Sequence, residues 1–430
     1  MAVILAYGSP ALGHLFPLSA LLLELIQRGH EVHLRAMASE VAGMQKTGMH
    51  TEAIDPRIEA IVGEDRLARD AFDVLRNSID VLCRRAVLEV DDLRRAVDQV
   101  QPDVLIVDAN CWGAISLADA GDLPWVVFSP FTPYLRSRCA PPFGPGLRPL
   151  PGVAGTVRDA LIRPFVRYLF DHPMLPRINA LRAGLEVPPI DSVDELMRRA
   201  PLLLAVGGEP FEYPHPDWGD AVHFIGACVF EQAGAAAPDW LEAIDRPIVL
   251  VNTSSIAQAD ANLGHIALRA LAHEPVHVVA TFPAGIPCEV ARASNATVCE
   301  FLPHGAVLDR VICVVTHGGM GTTVKALNRG IPVCVVPYAR DQAEVARRVQ
   351  VAGCGTRLPP KRLNPARLRA AVREAAAMAP GARRVAAGFA ATGGVARGAE
   401  LIEQRLLSTA GCEGPSRPLP SAWGCGTPQR

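Results

Sequence analysis

The side chains best suited to chemistry in this chain sit just past apolar runs that read as buried strands. His317-Gly318-Gly319, then Gly321 and Thr322, comes after Val311–Val315 and opens a helix. The free N–H groups of a helix N-terminus, approached through a glycine pair, form an anion site, and His317 and Thr322 add side-chain donors there. Asp341-Gln342 follows the next apolar run, Val333–Val336, and so lies at the same carboxyl edge of the sheet. A phosphate cradle beside an acid–amide pair suits a phosphorylated ligand carrying a hydroxyl-rich group. An ordinary strand-to-helix turn that needs glycine for packing is the competing reading. In the first half of the chain His14 follows Val3–Ala6, and Asp108 closes the run Val104–Val107. An acid at that edge could accept a hydrogen bond from the imidazole and fix its tautomer, leaving the other nitrogen to take a proton. A structural loop histidine and an N-capping aspartate are the plainer alternatives.

These positions require a parallel sheet in each half of the chain. Val311–Val315, a helix over Gly321–Asn328 and the strand Val333–Val336 make a β-turn-α-β unit. The N-terminal run leads through the loop Gly8–His14 into a helix with Pro17 near its start and Gly29 at its end. That loop lacks the G-x-G-x-x-G of a dinucleotide fold, and His14 stands where a P-loop has lysine. A helical region over about Asp65–Val100 carries Arg84, Arg85, Glu89, Asp91, Asp92, Arg94 and Arg95, most simply a solvated face. After the strand Trp125–Phe128 comes a Pro-rich loop with Phe131, Tyr134 and Phe143, long enough to be functional. A helix over Val157–Phe170, with Arg158, Arg163 and Arg167 among apolar residues, could be a lid, a membrane-surface contact or a solvated helix. Prolines and glycines between Glu209 and Pro238 mark a linker. The expected division is an N-terminal domain over 1–215, a linker over 216–245, a second domain over 246–385, a C-terminal helix over 386–407 and a disordered tail over 408–430.

At 430 residues the chain is long for one core, and half of it is hydrophobic. A net charge of −2 gives no electrostatic reason to bind nucleic acid or an anionic membrane. Eleven cysteines, none spaced as C-x-x-C, indicate neither a disulfide framework nor a zinc site. The N-terminus has no basic n-region, and the most apolar helix is too short to span a bilayer, so a cytoplasmic protein without an integral membrane segment is expected.

Taken together, the motifs resemble the GT-B glycosyltransferases of family GT1, the nucleotide-sugar-dependent group that includes natural-product and macrolide glycosyltransferases. The resemblance covers about residues 1–406 and rests on Gly13-His14, Val249–Ser255, Phe301-Leu302-Pro303-His304, His317–Thr323 and Asp341-Gln342, in the family's order. It implies an α/β protein of two Rossmann-like domains with parallel sheets facing across a cleft, the first for an acceptor and the second for a nucleoside-diphosphate sugar. His14 then stands as the general base with Asp108 orienting it. His317, Gly318, Gly319, Gly321, Thr322 and Ser255 would hold the pyrophosphate, Phe301 and the residues to His304 the base, and Asp341 and Gln342 the sugar hydroxyls. The implied chemistry is an inverting displacement without a metal or other cofactor, on a hydrophobic acceptor held near Phe131, Tyr134 and Phe143. A homodimer is left open. Lys325 replaces a glutamate that many relatives place on the donor ribose, which leaves that contact unassigned. A catalytically silent GT-B partner and a GT-B lipid-linked sugar transferase or epimerase are the rival readings, and intact His14, Asp108, Asp341 and Gln342 argue against the silent one.

Overall fold

The computed structural model of the protein describes residues 1–63, 71–231, 238–254, 260–287 and 293–408. Seven strands form the first sheet: β1 (Val3–Tyr7), β2 (Glu31–Ala36), β3 (His50–Ala53), β4 (Val104–Asp108), β5 (Trp125–Ser129), β6 (Leu203–Ala205) and β7 (Val222–Phe224). Their order is β3-β2-β1-β4-β5-β6-β7, and each neighbouring pair is parallel. Six strands form the second: β8 (Ile248–Asn252), β9 (His277–Thr281), β10 (Ala296–Cys299), β11 (Val311–Thr316), β12 (Val333–Val335) and β13 (Gly355–Arg357). Their order, β10-β9-β8-β11-β12-β13, is again parallel throughout. The central strands β4, β5 and β8 are buried along their whole length, as sheets covered by helices on both faces require.

Both sheets therefore reverse their winding once, between β1 and β4 in the first and between β8 and β11 in the second. Open α/β sheets bind ligands in the crevice outside such a switch point. His14 and Asp108 flank the first, and Asn252 and His317 flank the second. The chain then returns to the first domain. Helices Ala379–Ala391 and Gly394–Ile402 run back to it, Arg28 pairs with Glu403 at 2.9 Å, and His30 meets the same carboxylate at 3.0 Å.

Several elements differ from what the sequence suggests. The helix after β1 begins at Leu12, so His14 lies in its first turn rather than in the loop before it. Within the segment 216–245, Val222–Phe224 is not connection but the outermost strand, paired with β6. The helix expected over Val157–Phe170 spans Gly152–Gly184 and continues through Pro164, Pro173 and Pro176. The 386–407 segment is the end of one helix and the whole of another, divided near Gly393. The face expected to be solvated in the Ala71–Val100 helix is not all exposed. Glu89 and Asp92 are buried, Glu89 accepting from the Gly113 N–H and Asp92 from the Tyr7 hydroxyl. Burial pushes the Glu89 carboxyl up to about 8. The tail expected to be disordered lies, beyond Ser408, outside the described residues. Among the described residues no helix is long and apolar enough to cross a membrane.

Candidate active site

At the first switch point the geometry is that of an oriented base. His14 Nδ1 lies 3.0 and 2.9 Å from the two oxygens of Asp108, which is wholly buried as the last residue of β4. An ionised carboxylate only accepts, so Nδ1 carries the proton and the neutral ring presents its lone pair at Nε2. Asn110, two residues beyond Asp108, braces this arrangement. Its backbone N–H donates to Asp108 Oδ1 at 2.8 Å, and its amide Nδ2 lies 3.4 Å from His14 Nε2. The Tyr134 hydroxyl donates to Asn110 Oδ1 at 3.1 Å, which turns the amide NH2 toward the imidazole. Phe131 meets the imidazole edge-on with ring centroids 5.6 Å apart, and Tyr134 packs on both Phe131 and Phe143. Tyr134 and Phe143 also line a 60 Å³ cavity, closed on its other side by Val166 and Phe170 of the Gly152–Gly184 helix. Burial, then the nearby carboxylates of Asp341 and Asp108, hold the Tyr134 phenol far above its ordinary value. One side chain thus senses both sides of the cleft.

At the second switch point the glycines have separate reasons. Gly318 has φ +100°, and a Cβ there would come within 2.9 Å of Val335. A Cβ on Gly319 would come within 2.6 Å of His317 Nε2, whereas Gly321 faces open space. The helix Met320–Asn328 starts without a side-chain cap, which leaves its first-turn N–H groups for an anion. Thr322 Oγ1 accepts a 2.8 Å bond from Asn252 Nδ2, so its own hydroxyl proton is available to another acceptor. Asn252, at the end of β8, is itself fixed by a 2.8 Å bond from Thr281. Burial lowers the His317 imidazole to about 4 against an opposing backbone contact from Asn252, so the ring is neutral at pH 7. Its Nδ1 stands 3.5 Å from Asp260, which also receives the Ser254 N–H. Ser255 lies outside the described residues.

Phe301 is 56 % exposed, an uncovered aromatic face beyond β10. Near it His304 is lowered to about 4, first by burial and then by Lys325. The Lys325 ammonium donates to the Phe230 carbonyl and stands 3.8 Å from Glu231, whose carboxylate lies against Gly305. A carboxylate from the segment after β7 thus stands beside Lys325. Asp341 precedes the helix Gln342–Ala352 and makes no side-chain cap bond. Burial raises its carboxyl, opposed by its own backbone, Arg340 and His14. Gln342 Oε1 accepts the N–H groups of Tyr338 and Ala339 at 2.8 and 3.0 Å. Its carbonyl end therefore holds the loop. Among the described residues no group of three His, Cys, Asp or Glu side chains could hold a metal ion.

Two Rossmann-like domains, with a histidine–aspartate pair on one switch point and an uncapped helix terminus on the other, are the architecture of a GT-B glycosyltransferase. Residues 266–396 match the family described as erythromycin biosynthesis protein CIII-like, C-terminal domain. The 4'-demethylrebeccamycin synthase of Lentzea aerocolonigenes is 30 % identical over 382 residues, 84 % of this chain and 89 % of that protein. The glycotransferase of kitacinnamycin superposes with a TM-score of 0.70 at 26 % identity, covering 94 % of this chain and 99 % of that one. Glycosyltransferase VinC, solved in complex with dTDP, shares the fold with a TM-score of 0.66 at 21 % identity, over 95 % and 99 % of the two chains. The chain belongs to the bacterial natural-product glycosyltransferases of family GT1.

Sequence reasoning passed over Asn110 and Glu231, and it quoted Asn252 without giving it a task. Asn110 had one signal, an amide two residues past an acid at a strand's carboxyl edge.

Proposed function

We propose that this glycosyltransferase moves a sugar from UDP- or dTDP-sugar to a hydroxyl of a hydrophobic small molecule, with inversion at the anomeric carbon. The acceptor hydroxyl gives its proton to His14 Nε2 as its oxygen attacks the anomeric carbon, and the bond to the β-phosphate oxygen breaks on the opposite face. The transition state has oxocarbenium character. Asp108 orients the ring and stabilises the imidazolium that forms. The charge left on the diphosphate falls on the first-turn N–H groups of Met320–Asn328 and the Thr322 hydroxyl, with His317 as a neutral donor, and the step calls for no metal. Phe301 would cover the base, with His304 beside it, and Asp341 and the Gln342 amide would hold the sugar. Phe131, Tyr134 and Phe143 form an apolar wall beside the base, which suits an aromatic or polyketide-like acceptor.

The observation that carries this reading is the His14–Asp108 pair, with Nε2 turned away from Asp108. The uncapped first turn of Met320–Asn328 supports a diphosphate ligand there, and VinC, which shares the fold, was solved with dTDP. The test is His14→Ala. Transfer to hydroxyl acceptors should vanish while nucleoside-diphosphate binding stays nearly intact. Turnover like the wild type with a genuine acceptor would remove the base assignment.

A further inference from the structure

A buried chain of charges joins the loop after β5 to the helix that begins at Gln342. Gly144 and Gly146 both donate their backbone N–H to Glu344 Oε1, at 2.8 and 2.7 Å. Glu344 Oε2 accepts from Arg348 at 2.6 Å, and Arg348 Nε donates to Glu212 Oε1 at 2.7 Å. Glu212 Oε2 in turn accepts the Thr132 hydroxyl at 2.7 Å. The two ends of the aromatic loop, at Thr132 and at Gly144–Gly146, are therefore tied to one guanidinium in the other domain. Glu344, Arg348 and Glu212 are 4, 3 and 2 % exposed. A second tie runs from Arg347 Nε to the Gly146 carbonyl at 2.8 Å. Gly146 has φ +61°, and any side chain on it would overlap the Ala343 carbonyl, so the loop backbone lies directly on the first turn of the helix.

That first turn contains Gln342 and Glu344 and directly follows Asp341. The loop between its anchors carries Tyr134 and Phe143. We propose that Glu344 is a positioning residue that locks the acceptor-side loop to the sugar-side helix turn, so that binding of the donor sugar and seating of the acceptor reinforce each other. Sugar hydroxyls held by Asp341 and Gln342 order the turn, and Glu344 passes that order to two loop amides. Coupling of this kind is reciprocal for binding. Charged, directional bonds suit the task better than apolar contact, because they fix register as well as distance. The inference rests on the assignment of Asp341 and Gln342 to the donor sugar.

The test is amide hydrogen exchange over residues 131–151 in the full chain. Wild type, Glu344→Ala and Glu344→Gln are each measured alone, with UDP or dTDP, and with UDP-glucose or dTDP-glucose. Binding of each probe is measured in parallel by calorimetry. In the wild type the sugar nucleotide, but not the bare diphosphate, should slow exchange at Gly144 and Gly146 about tenfold, within the usual range for coupled sites. Glu344→Ala should abolish that response while still binding the diphosphate. Glu344→Gln keeps one carbonyl but sets its NH2 against Arg348 or the two glycine N–H groups, so it should recover only part of the response. A loop that ignores the sugar in wild type, although the sugar tightens binding, overturns the coupling alone. So does an Ala variant that responds as wild type does. If neither sugar nucleotide binds more tightly than its parent diphosphate, the sugar-site assignment fails and takes the coupling with it.

Discussion

Asp108→Asn offers a sharp test, because it keeps the shape of the side chain while removing its charge and one of its two acceptors. Asp108 Oδ1 receives the Asn110 N–H at 2.8 Å, so the carbonyl of a carboxamide takes that place. Its NH2 then occupies the Oδ2 position, 2.9 Å from His14 Nδ1. The carbonyl at Oδ1 still lies 3.0 Å from Nδ1 and can accept its proton, but wherever the NH2 donates to Nδ1 instead, the ring proton moves to Nε2 and the lone pair needed for the acceptor hydroxyl is turned away. Losing a charge-assisted bond to the imidazolium costs about 1.5–3 kcal/mol, which alone is about a 10- to 150-fold fall in kcat. Any population of the inverted tautomer adds to that, so a loss of at least about 10-fold is expected for Asn. The assay is nucleoside-diphosphate release with an acceptor that supports turnover, together with calorimetric donor affinity, which should change by less than about threefold because the donor is held by the other domain. An Asn variant as active as wild type at equal folded fraction would refute the argument.

Gly318 and Gly321 of the anion turn should separate. Gly318→Ala meets both a positive φ and Val335, so it should lower stability by about 1–2 kcal/mol as well as weaken nucleotide binding. Gly321→Ala meets no atom within 4 Å, so it should leave Tm unchanged and lower only nucleotide affinity, by filling space meant for ligand. Equal effects on Tm, or an unchanged affinity in Gly321→Ala, would count against the cradle. Glu212 makes a pH prediction. Burial alone would raise its carboxyl, but Arg348 and then His215 hold it at about 2. A depressed folded value stabilises the fold above the unfolded value, about 4.3, and that contribution is lost as pH falls from there through about 2. Glu212→Gln should therefore cost about 3 kcal/mol at pH 7, because it leaves Arg348 underpaired, and should flatten the acid limb of a denaturant-midpoint profile. An acid limb identical to wild type would show that the pair does not carry that dependence.

The fold was legible because parallel strands covered on both faces are continuous apolar runs, and the polar residues ending them mark the ligand edge. His14 and Asp108 are 94 residues apart, yet both could be placed at carboxyl edges from the runs before them. Their contact was not legible, because it depends on β1 lying beside β4, a fact of strand order. β7 escaped because three half-buried residues among prolines and glycines carry no period. The continuous Gly152–Gly184 helix escaped because three prolines inside it look like stops. Glu89 and Asp92 read as a solvated face because charge spacing does not reveal what packs against it. Their partners, the Gly113 N–H and Tyr7, come from other elements. The Glu344–Arg348 pair likewise has the i, i+4 spacing of a surface bridge, and its burial follows from Glu212, 136 residues away from Arg348.

The central claim is that the second switch point holds a nucleoside-diphosphate sugar opposite His14. It is tested most directly by thermal shift of the full chain against UDP, dTDP, GDP and their sugars. A ligand at a hundred times its dissociation constant should stabilise the fold by about 2.7 kcal/mol, and UDP or dTDP and its sugar should do so. No shift with any of these ligands would contradict the claim and favour a silent GT-B partner.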